Sequence, residues 1–149
     1  MPASFHPDLL RTSLAPLNAR KPLCTHAKAY QRFYGLDLPV HSWLGQFAVA
    51  GFEVVAQVWC PQQPKATLLL LHGYYDHMGL YRHLVAWALK RGYAVVSCDL
   101  PGHGLSSGER ASIDDFAIYQ QVLECLFEQT RSLQLPHPWH LCGQSTGGA

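Results

Sequence analysis

The sequence predicts an α/β protein built on a parallel sheet. Three apolar runs have the length and composition of buried strands, at residues 66–71, 93–98 and 139–142. Two segments with the apolar spacing of amphipathic helices, 78–90 and 116 to about 133, separate them. Alternation of strand and helix in this order predicts right-handed crossovers between parallel neighbours.

The chain before these strands divides into two parts. Residues 1–39 carry five prolines and little periodicity, which predicts an irregular leader with one short helix near 24–33. Two runs of β-favouring residues within 40–59 predict antiparallel strands that turn near Ala50-Gly51. The predicted organisation is therefore a leader, 1–39, followed by one folded unit, 40–149.

Turn and capping residues set the helix limits. Gly92 follows the first predicted helix in a typical stop position. Ser112, three residues before Asp115, predicts an N-cap for the second helix. Pro136 and Pro138 break the chain before the last strand.

Composition excludes several classes of function. The 149 residues suit one domain, and a net charge of +1 without any Lys/Arg run gives no reason to expect a nucleic acid or an acidic membrane surface as partner. No secretory signal is recognisable, and the longest fully apolar run, Leu68–Leu71, is too short to span a bilayer. The five cysteines show no paired spacing, so we expect reduced thiols, with Cys98 and Cys142 buried in strands. These features favour a soluble cytoplasmic protein.

The strongest chemical motif directly follows the last predicted strand. Residues Gly143 to Gly147 match G-x-S-x-G, in which a sharp turn from strand to helix lifts a serine clear of its strand. Gly143 and Gly147 leave room for the crowded backbone, and Ser145 is the candidate nucleophile. The backbone N–H of Thr146 would face the place where a tetrahedral oxyanion forms.

The other two predicted parallel strands also end in chemically suggestive segments. His72, Gly73 and Tyr74 follow the first strand, and a glycine-rich loop from Asp99 to Gly108 follows the second. Because active sites of such sheets collect at the carboxyl ends of the strands, we expect these segments to lie near the serine. The glycine-rich loop is expected to be a flexible loop over the site.

These segments together resemble the α/β-hydrolase family, and more narrowly its monoglyceride lipase and lysophospholipase-like branch, which includes proteins labelled serine aminopeptidases. The resemblance covers about 40–149 and is carried by three motifs in order: His72-Gly73-x-x-Asp76-His77 with Tyr81-Arg82 after it, Asp99-Leu100-Pro101-Gly102-His103-Gly104-x-Ser106-x-Gly108, and Gly143-x-Ser145-x-Gly147-Gly148. It implies a mostly parallel sheet with helices on both faces and antiparallel strands at its N-terminal side. It also implies hydrolysis of carboxylic esters, with a small-molecule or lipid-like ester as substrate.

The resemblance implies a role for each matched residue. Ser145 would be the nucleophile, and the backbone N–H groups of Tyr74 and Thr146 would form the oxyanion hole. His72 and Gly73 would shape the turn beside it rather than titrate in catalysis. The chain departs from the branch at Asp76, where Glu is usual, and around the serine, where His-Ser-Met is common and Gln144-Ser145-Thr146 stands here.

The last residues of the sequence raise an alternative to the prediction of an enzyme. The family's acid and histidine follow the serine, but only four residues follow Ser145 here. The resemblance thus implies a fold truncated after the serine turn, with the remaining triad residues beyond 149 and the 149-residue polypeptide inactive alone. The alternative is a non-catalytic remnant or interaction module. A rearranged triad from Asp99 and His103 is disfavoured, and the last strand is expected to form an exposed edge that makes the isolated polypeptide poorly soluble.

Two further site types are disfavoured by spacing. His72-x-x-x-Asp76-His77 superficially resembles a metallo-hydrolase motif, but Tyr74 stands where a histidine ligand is needed. The glycines of 102–108 are spaced wrongly for a dinucleotide turn. We therefore expect no metal and no cofactor, and the sequence leaves the oligomeric state open.

Overall fold

The structure, a computed structural model, describes residues 4–110 and 115–144. Its elements are α1 (Pro7–Ser13), a 3-10 turn (Leu17–Ala19), α2 (Thr25–Tyr34), β1 (His41–Val49), β2 (Phe52–Cys60), β3 (Ala66–Leu71), a second 3-10 turn (Met78–Leu80), α3 (Arg82–Lys90), β4 (Tyr93–Cys98), α4 (Ala117–Ser132) and β5 (Trp139–Gly143). In this part of the chain the strands form a sheet of order β1-β2-β4-β3-β5.

The pairing of the strands confirms the predicted sheet. β1 and β2 form an antiparallel hairpin whose turn residues, Ala50 and Gly51, have φ of 51° and 80°. β2 pairs antiparallel with β4, whereas β4, β3 and β5 are parallel neighbours. β3 and β4 become the centre of the sheet because helices can cover both of their faces.

Side chains alternate between two cores, one on each face of the sheet. Leu69 and Leu71 of β3 join the core that α4 covers, whereas Leu68 and Leu70 join the core beneath α1, α2 and α3. This alternation is the two-residue period of a strand buried on both sides. Helices therefore lie on both faces, as expected.

The N-terminal segment differs from the predicted irregular leader. The expected helix near residues 24–33 is present as α2, but α1 and the first 3-10 turn precede it. Leu10 and Leu17 are fully buried in the two cores. Backbone contact is close, since a Cβ on Gly45 would lie 2.4 Å from the Leu17 Cα. A seven-residue helix has too few turns to show periodicity, so packing against α2 decides the place of α1.

The helix limits also differ slightly from expectation. The segment from Met78 begins as a 3-10 turn, and α3 starts only at Arg82. At α4, the Asp115 carboxylate accepts the Ala117 N–H at 2.9 Å, while Ser112, the predicted N-cap, lies outside the described residues.

The last strand is less covered than the others. β5 pairs only with β3 in the described chain and leaves Leu141 52% exposed, which fits the expected edge. Cys98 is buried as predicted, but Cys142 on β5 is only partly buried, and all five thiols are free. None of the helices in the described ranges is both long and apolar enough to cross a membrane.

Candidate active site

The strand register brings three chain segments together at the carboxyl ends of the parallel strands. Leu71 at the end of β3 pairs with Cys98 of β4 on one side and with Gly143 of β5 on the other. The Gln144 N–H donates to the Leu71 carbonyl at 3.1 Å. The segments that begin at His72, Asp99 and Gln144 therefore leave the sheet side by side, as expected for strand ends in a parallel sheet.

His72 is fully buried and bonded on both ring nitrogens. Its Nε2 accepts the Leu100 N–H at 2.9 Å, so Nδ1 carries the proton and donates to the Gly73 carbonyl at 2.8 Å. Burial lowers the pKa of His72 to about 4, although the bond to Gly73 acts in the opposite direction. The ring is thus neutral at pH 7 and joins the ends of β3 and β4.

The segment 72–77 carries two outward-facing aromatic side chains. It is called here the oxyanion turn, after the role that the resemblance predicts for Tyr74. Tyr74 is 50% exposed and Tyr75 is 69% exposed, and their ring centroids lie 4.4 Å apart. The turn closes through the Asp76 N–H, which donates to the Gly73 carbonyl at 3.1 Å. Tyr75 has a φ of 60°, a left-handed conformation that a non-glycine residue rarely adopts.

Asp99 joins the second 3-10 turn, which directly follows the oxyanion turn, to the glycine-rich loop. Its buried carboxylate accepts the Met78 N–H at 2.8 Å and the Leu105 N–H at 2.8 Å, and we call this arrangement the Asp99 clasp. Burial raises the pKa of Asp99 to about 7, against the opposing effect of the N–H groups of Leu105 and Met78. The sequence identified Asp99 as a motif residue but gave no signal for this contact, because the two N–H groups belong to separate loops.

The glycine-rich loop is tied down to β2, contrary to the expected flexible loop. The Ser106 hydroxyl donates to the Asp99 carbonyl at 2.5 Å and accepts the Val55 N–H at 2.9 Å. The next residue pairs with Glu53 in both directions, since the Ser107 N–H donates to the Glu53 carbonyl and the Ser107 hydroxyl accepts the Glu53 N–H. Hydroxyl groups of the loop therefore accept backbone N–H groups of β2, and the Ser107 N–H donates to this strand, which fixes the loop against β2.

A rearranged triad is not formed by Asp99 and His103. The His103 Nδ1 lies 3.0 Å from the Pro101 carbonyl, and its ring packs 5.1 Å from that of His72. Within residues 4–110 and 115–144, no hydrogen bond joins His103 to Asp99. These two side chains instead support the fold of the loops.

Tyr81 connects the oxyanion turn to the segment that follows β5. Its hydroxyl donates to the Asp76 carboxylate and lies 2.6 Å from the side-chain oxygen of Gln144. Burial and the Asp76 contact raise the pKa of Tyr81, so it stays a neutral hydroxyl. Asp76 and Gln144 are both positions at which the chain departs from the branch pattern, yet the sequence did not indicate that they meet on one tyrosine.

The predicted site residues fall into two groups. His72, Gly73 and Tyr74 lie on the oxyanion turn, and Gly143 ends β5 beside it. Ser145, Thr146 and Gly147 lie outside the described residues. The catalytic roles of both groups stay predictions.

Comparison with known proteins gives the family. The model of the serine aminopeptidase S33 family matches residues 62–149, more than half of the chain. The chain belongs to this family. A monoacylglycerol lipase of Mycolicibacterium smegmatis is 31% identical over 109 residues, which are 72% of this chain and 38% of that protein. Phospholipase YtpA of Bacillus subtilis is 32% identical over 90 residues, which are 60% of this chain and 34% of that protein.

The matches place this family member in the monoglyceride lipase-like branch of the α/β-hydrolases and define its fold. The chain spans little more than a third of the length of these curated relatives and corresponds to their N-terminal part. An α/β hydrolase from Penicillium, GrgF, superposes with a TM-score of 0.65 over 74% of this chain and 39% of that one, at 21% identity. The sheet and helices described above are thus those of an α/β-hydrolase fold.

Proposed function

We propose that this chain carries the nucleophile and the oxyanion hole of a serine hydrolase that cleaves carboxylic esters of the monoacylglycerol or lysophospholipid kind. The observation that carries the proposal is that β3 and β5 are paired and end side by side. The oxyanion turn therefore starts beside Gln144, the residue directly before Ser145. Membership of the S33 family and the names of the lipase and phospholipase relatives support the ester substrate.

In the proposed reaction, the Ser145 hydroxyl oxygen attacks the acyl carbonyl while a histidine removes its proton. The resulting oxyanion is stabilised by the backbone N–H groups of Tyr74 and Thr146. Collapse of the intermediate breaks the ester bond, and the leaving alcohol takes the proton from the histidine. Water then hydrolyses the acyl-serine ester, which frees the fatty acid. In this proposal, the histidine and its acid partner come from residues beyond 149, as the order of triad residues in the family implies.

His72 and Gly73 shape the oxyanion turn in this proposal. A histidine with a pKa of about 4, both nitrogens of which are bonded to backbone, is a poor general base at neutral pH. Its proposed contribution is to hold the end of β3 against Leu100, so that the turn keeps its shape when substrate binds.

A serine-reactive phosphonate probe tests the nucleophile. The natural protein is labelled in its source cells, its intact mass is measured, and the labelled peptide is sequenced. We expect the label on Ser145, in a protein well above the 16.6 kDa of this chain. Ser145→Ala should abolish labelling, whereas Ser132→Ala, at an exposed serine that ends α4, should leave it unchanged. An unlabelled natural product of 16.6 kDa would instead support the alternative, a non-catalytic remnant or interaction module.

The substrate class needs a separate measurement. The natural protein, without the phosphonate probe, is incubated with a monoacylglycerol and with a triacylglycerol of the same acyl chain, and the released fatty acid is quantified. We expect faster release from the monoacylglycerol, and equal rates would contradict the proposed substrate class while leaving Ser145 as nucleophile.

A further inference from the structure

We propose that Tyr81 is a positioning residue that fixes the distance between the two halves of the oxyanion hole, by bridging Asp76 on the oxyanion turn and Gln144 before the nucleophile. This inference rests on the proposed function, since it concerns the same site. Asp76 is on the same short turn as Tyr74, and Gln144 is two residues from Thr146, so the bridge spans both elements that offer an oxyanion N–H.

The oxyanion-turn end of the bridge is firmly held. One carboxylate oxygen of Asp76 accepts the Tyr81 hydroxyl, and the other accepts the His77 N–H at 2.9 Å. The Asp76 N–H in turn donates to the Gly73 carbonyl at 3.1 Å. The carboxylate therefore cannot move without disturbing the backbone of residues 73–77.

The nucleophile end is held by two contacts on one residue. The Gln144 N–H donates to the Leu71 carbonyl at 3.1 Å, and its side-chain oxygen lies 2.6 Å from the Tyr81 hydroxyl. Main chain and side chain of Gln144 are thus fixed to β3 and to Tyr81 respectively. The chain that enters Ser145 consequently starts from a defined position and direction.

The backbone of Tyr81 is held by the elements on either side of it. It lies between the second 3-10 turn and α3, where its carbonyl accepts the Val85 N–H at 3.0 Å. The preceding turn is fastened at Met78 by the Asp99 clasp. A half-buried phenol on such a support can transmit position, because its own backbone is already constrained.

The chemistry of the three groups specifies an amide at position 144. A tyrosine hydroxyl has one proton to donate, and in the structure it donates to the Asp76 carboxylate. With the amide of Gln144 turned over, so that its nitrogen takes the place of the oxygen that lies 2.6 Å from the phenol, the NH2 donates to the phenol oxygen and completes the chain of hydrogen bonds. A carboxylate at 144 could not donate in this way. This difference provides a variant that changes the hydrogen bonding with little change of shape.

The first experiment separates positioning from binding. In the natural protein, hydrolysis of p-nitrophenyl butyrate is measured for Tyr81→Phe and for Tyr93→Phe. The second variant is a matched loss of a hydroxyl group at the start of β4, at the end of the parallel strands opposite to the oxyanion turn. Misplacement of catalytic groups by about 1 Å can cost about 100-fold, so we expect Tyr81→Phe to lower kcat about 10- to 100-fold, with less than about a twofold change in KM. Tyr93→Phe should match the unmodified protein.

Variants of Gln144 provide the second readout. Gln144→Ala should lower kcat as Tyr81→Phe does, and the double variant should lose no more than either single one, because both break one bridge. In Gln144→Glu, kcat relative to the unmodified protein should rise as the pH falls from about 8 to about 5, since only the protonated acid can donate to the phenol. A purely structural role for Tyr81 would produce neither pattern.

The outcomes distinguish this inference from the proposed function. If Ser145→Ala remains active, or the unmodified protein neither hydrolyses the ester nor takes the phosphonate label, the proposed function fails and the inference fails with it. If Ser145 is required but Tyr81→Phe keeps its kcat, or loses activity only through KM, the inference alone is overturned. Thermal denaturation of every variant verifies that a loss of kcat is not a loss of fold.

Discussion

Gly104 is the position at which a single added methyl group should have the largest measurable consequence. It has a φ of 49°, and a Cβ built there would lie 2.2 Å from the Asp99 Oδ2. No carbon atom can approach a carboxylate oxygen so closely, so in Gly104→Ala the carboxylate must leave its place or the loop must shift. We therefore expect this variant to open the Asp99 clasp.

The expected loss of stability has two parts. An alanine in the left-handed region costs about 1 to 2 kcal/mol. Displacing the carboxylate forfeits its bonds from Met78 and Leu105, each worth about 1 to 3 kcal/mol when a buried N–H is left unpaired. The sum, about 3 to 8 kcal/mol, is comparable to the whole stability of many domains, so partial unfolding at room temperature is expected at the upper end.

Gly51 offers a matched control, because it isolates the backbone part. Its φ is 80°, but a Cβ there would meet no atom within 4 Å. Gly51→Ala should thus cost only about 1 to 2 kcal/mol. Urea unfolding of the natural protein, followed by the fluorescence of the buried Trp43 and Trp59, measures both variants.

A double-mutant cycle decides whether the carboxylate is the cause. With Asp99→Ala in the background, the methyl group of Gly104→Ala has no carboxylate to meet, so its cost should shrink to the backbone part. Equal costs in both backgrounds, or a Gly104→Ala no worse than Gly51→Ala, would refute the reasoning.

Three further predictions concern pH, the edge strand and the N-terminal segment. Burial lowers the pKa of His72 from 6.5 to about 4, so the folded state binds fewer protons than the unfolded chain, and stability is lost as the pH falls from about 6.5 to about 4. Burial raises the pKa of Asp99 from 3.8 to about 7, so the folded state binds more protons, and stability is lost as the pH rises from about 4 to about 7. Urea midpoints should therefore fall with rising pH between about 4 and 7 in His72→Asn, which keeps only the Asp99 effect, and rise in Asp99→Asn; the same direction in both variants would contradict these shifts. The polypeptide 1–149 produced alone should aggregate through the edge at β5, and Leu141→Lys should reduce the aggregation seen by light scattering; a monodisperse monomer with a cooperative thermal transition would count against this. Leu17→Ala should cost about 2 to 5 kcal/mol of unfolding free energy in the natural protein, because Leu17 is fully buried, and a loss below about 0.5 kcal/mol would mean that residues 1–39 do not share the core.

Tyr81 and Gly104 lie at the two ends of one series of contacts. The Asp99 clasp fixes Met78, Met78 begins the short turn that carries Tyr81, and Tyr81 reaches the residue before the nucleophile. If both proposals hold, opening the clasp should lower kcat in conditions where the protein is still folded. The position of the Gln144 side chain would then depend on a buried carboxylate in a neighbouring loop.

The sequence by itself determined the strands of the sheet, the helices between the parallel strands and the kind of sheet. Apolar runs such as Ala66–Leu71 are strands because their β-favouring residues fill both faces, and the helices between them force parallel neighbours. The hairpin turn at Ala50-Gly51 and the motif around Ser145 could also be recognised in the sequence, because each depends on residues adjacent in the chain.

Only the tertiary structure decided which groups meet. α1 was invisible because one turn of burial, at Leu10, leaves no periodic signal. The Asp99 clasp and the contact of Tyr81 with Gln144 join residues that the chain separates widely, 63 positions in the second case. Such contacts follow from strand register and loop packing, and a pattern in sequence reports burial and turns but not which polar groups the fold brings together.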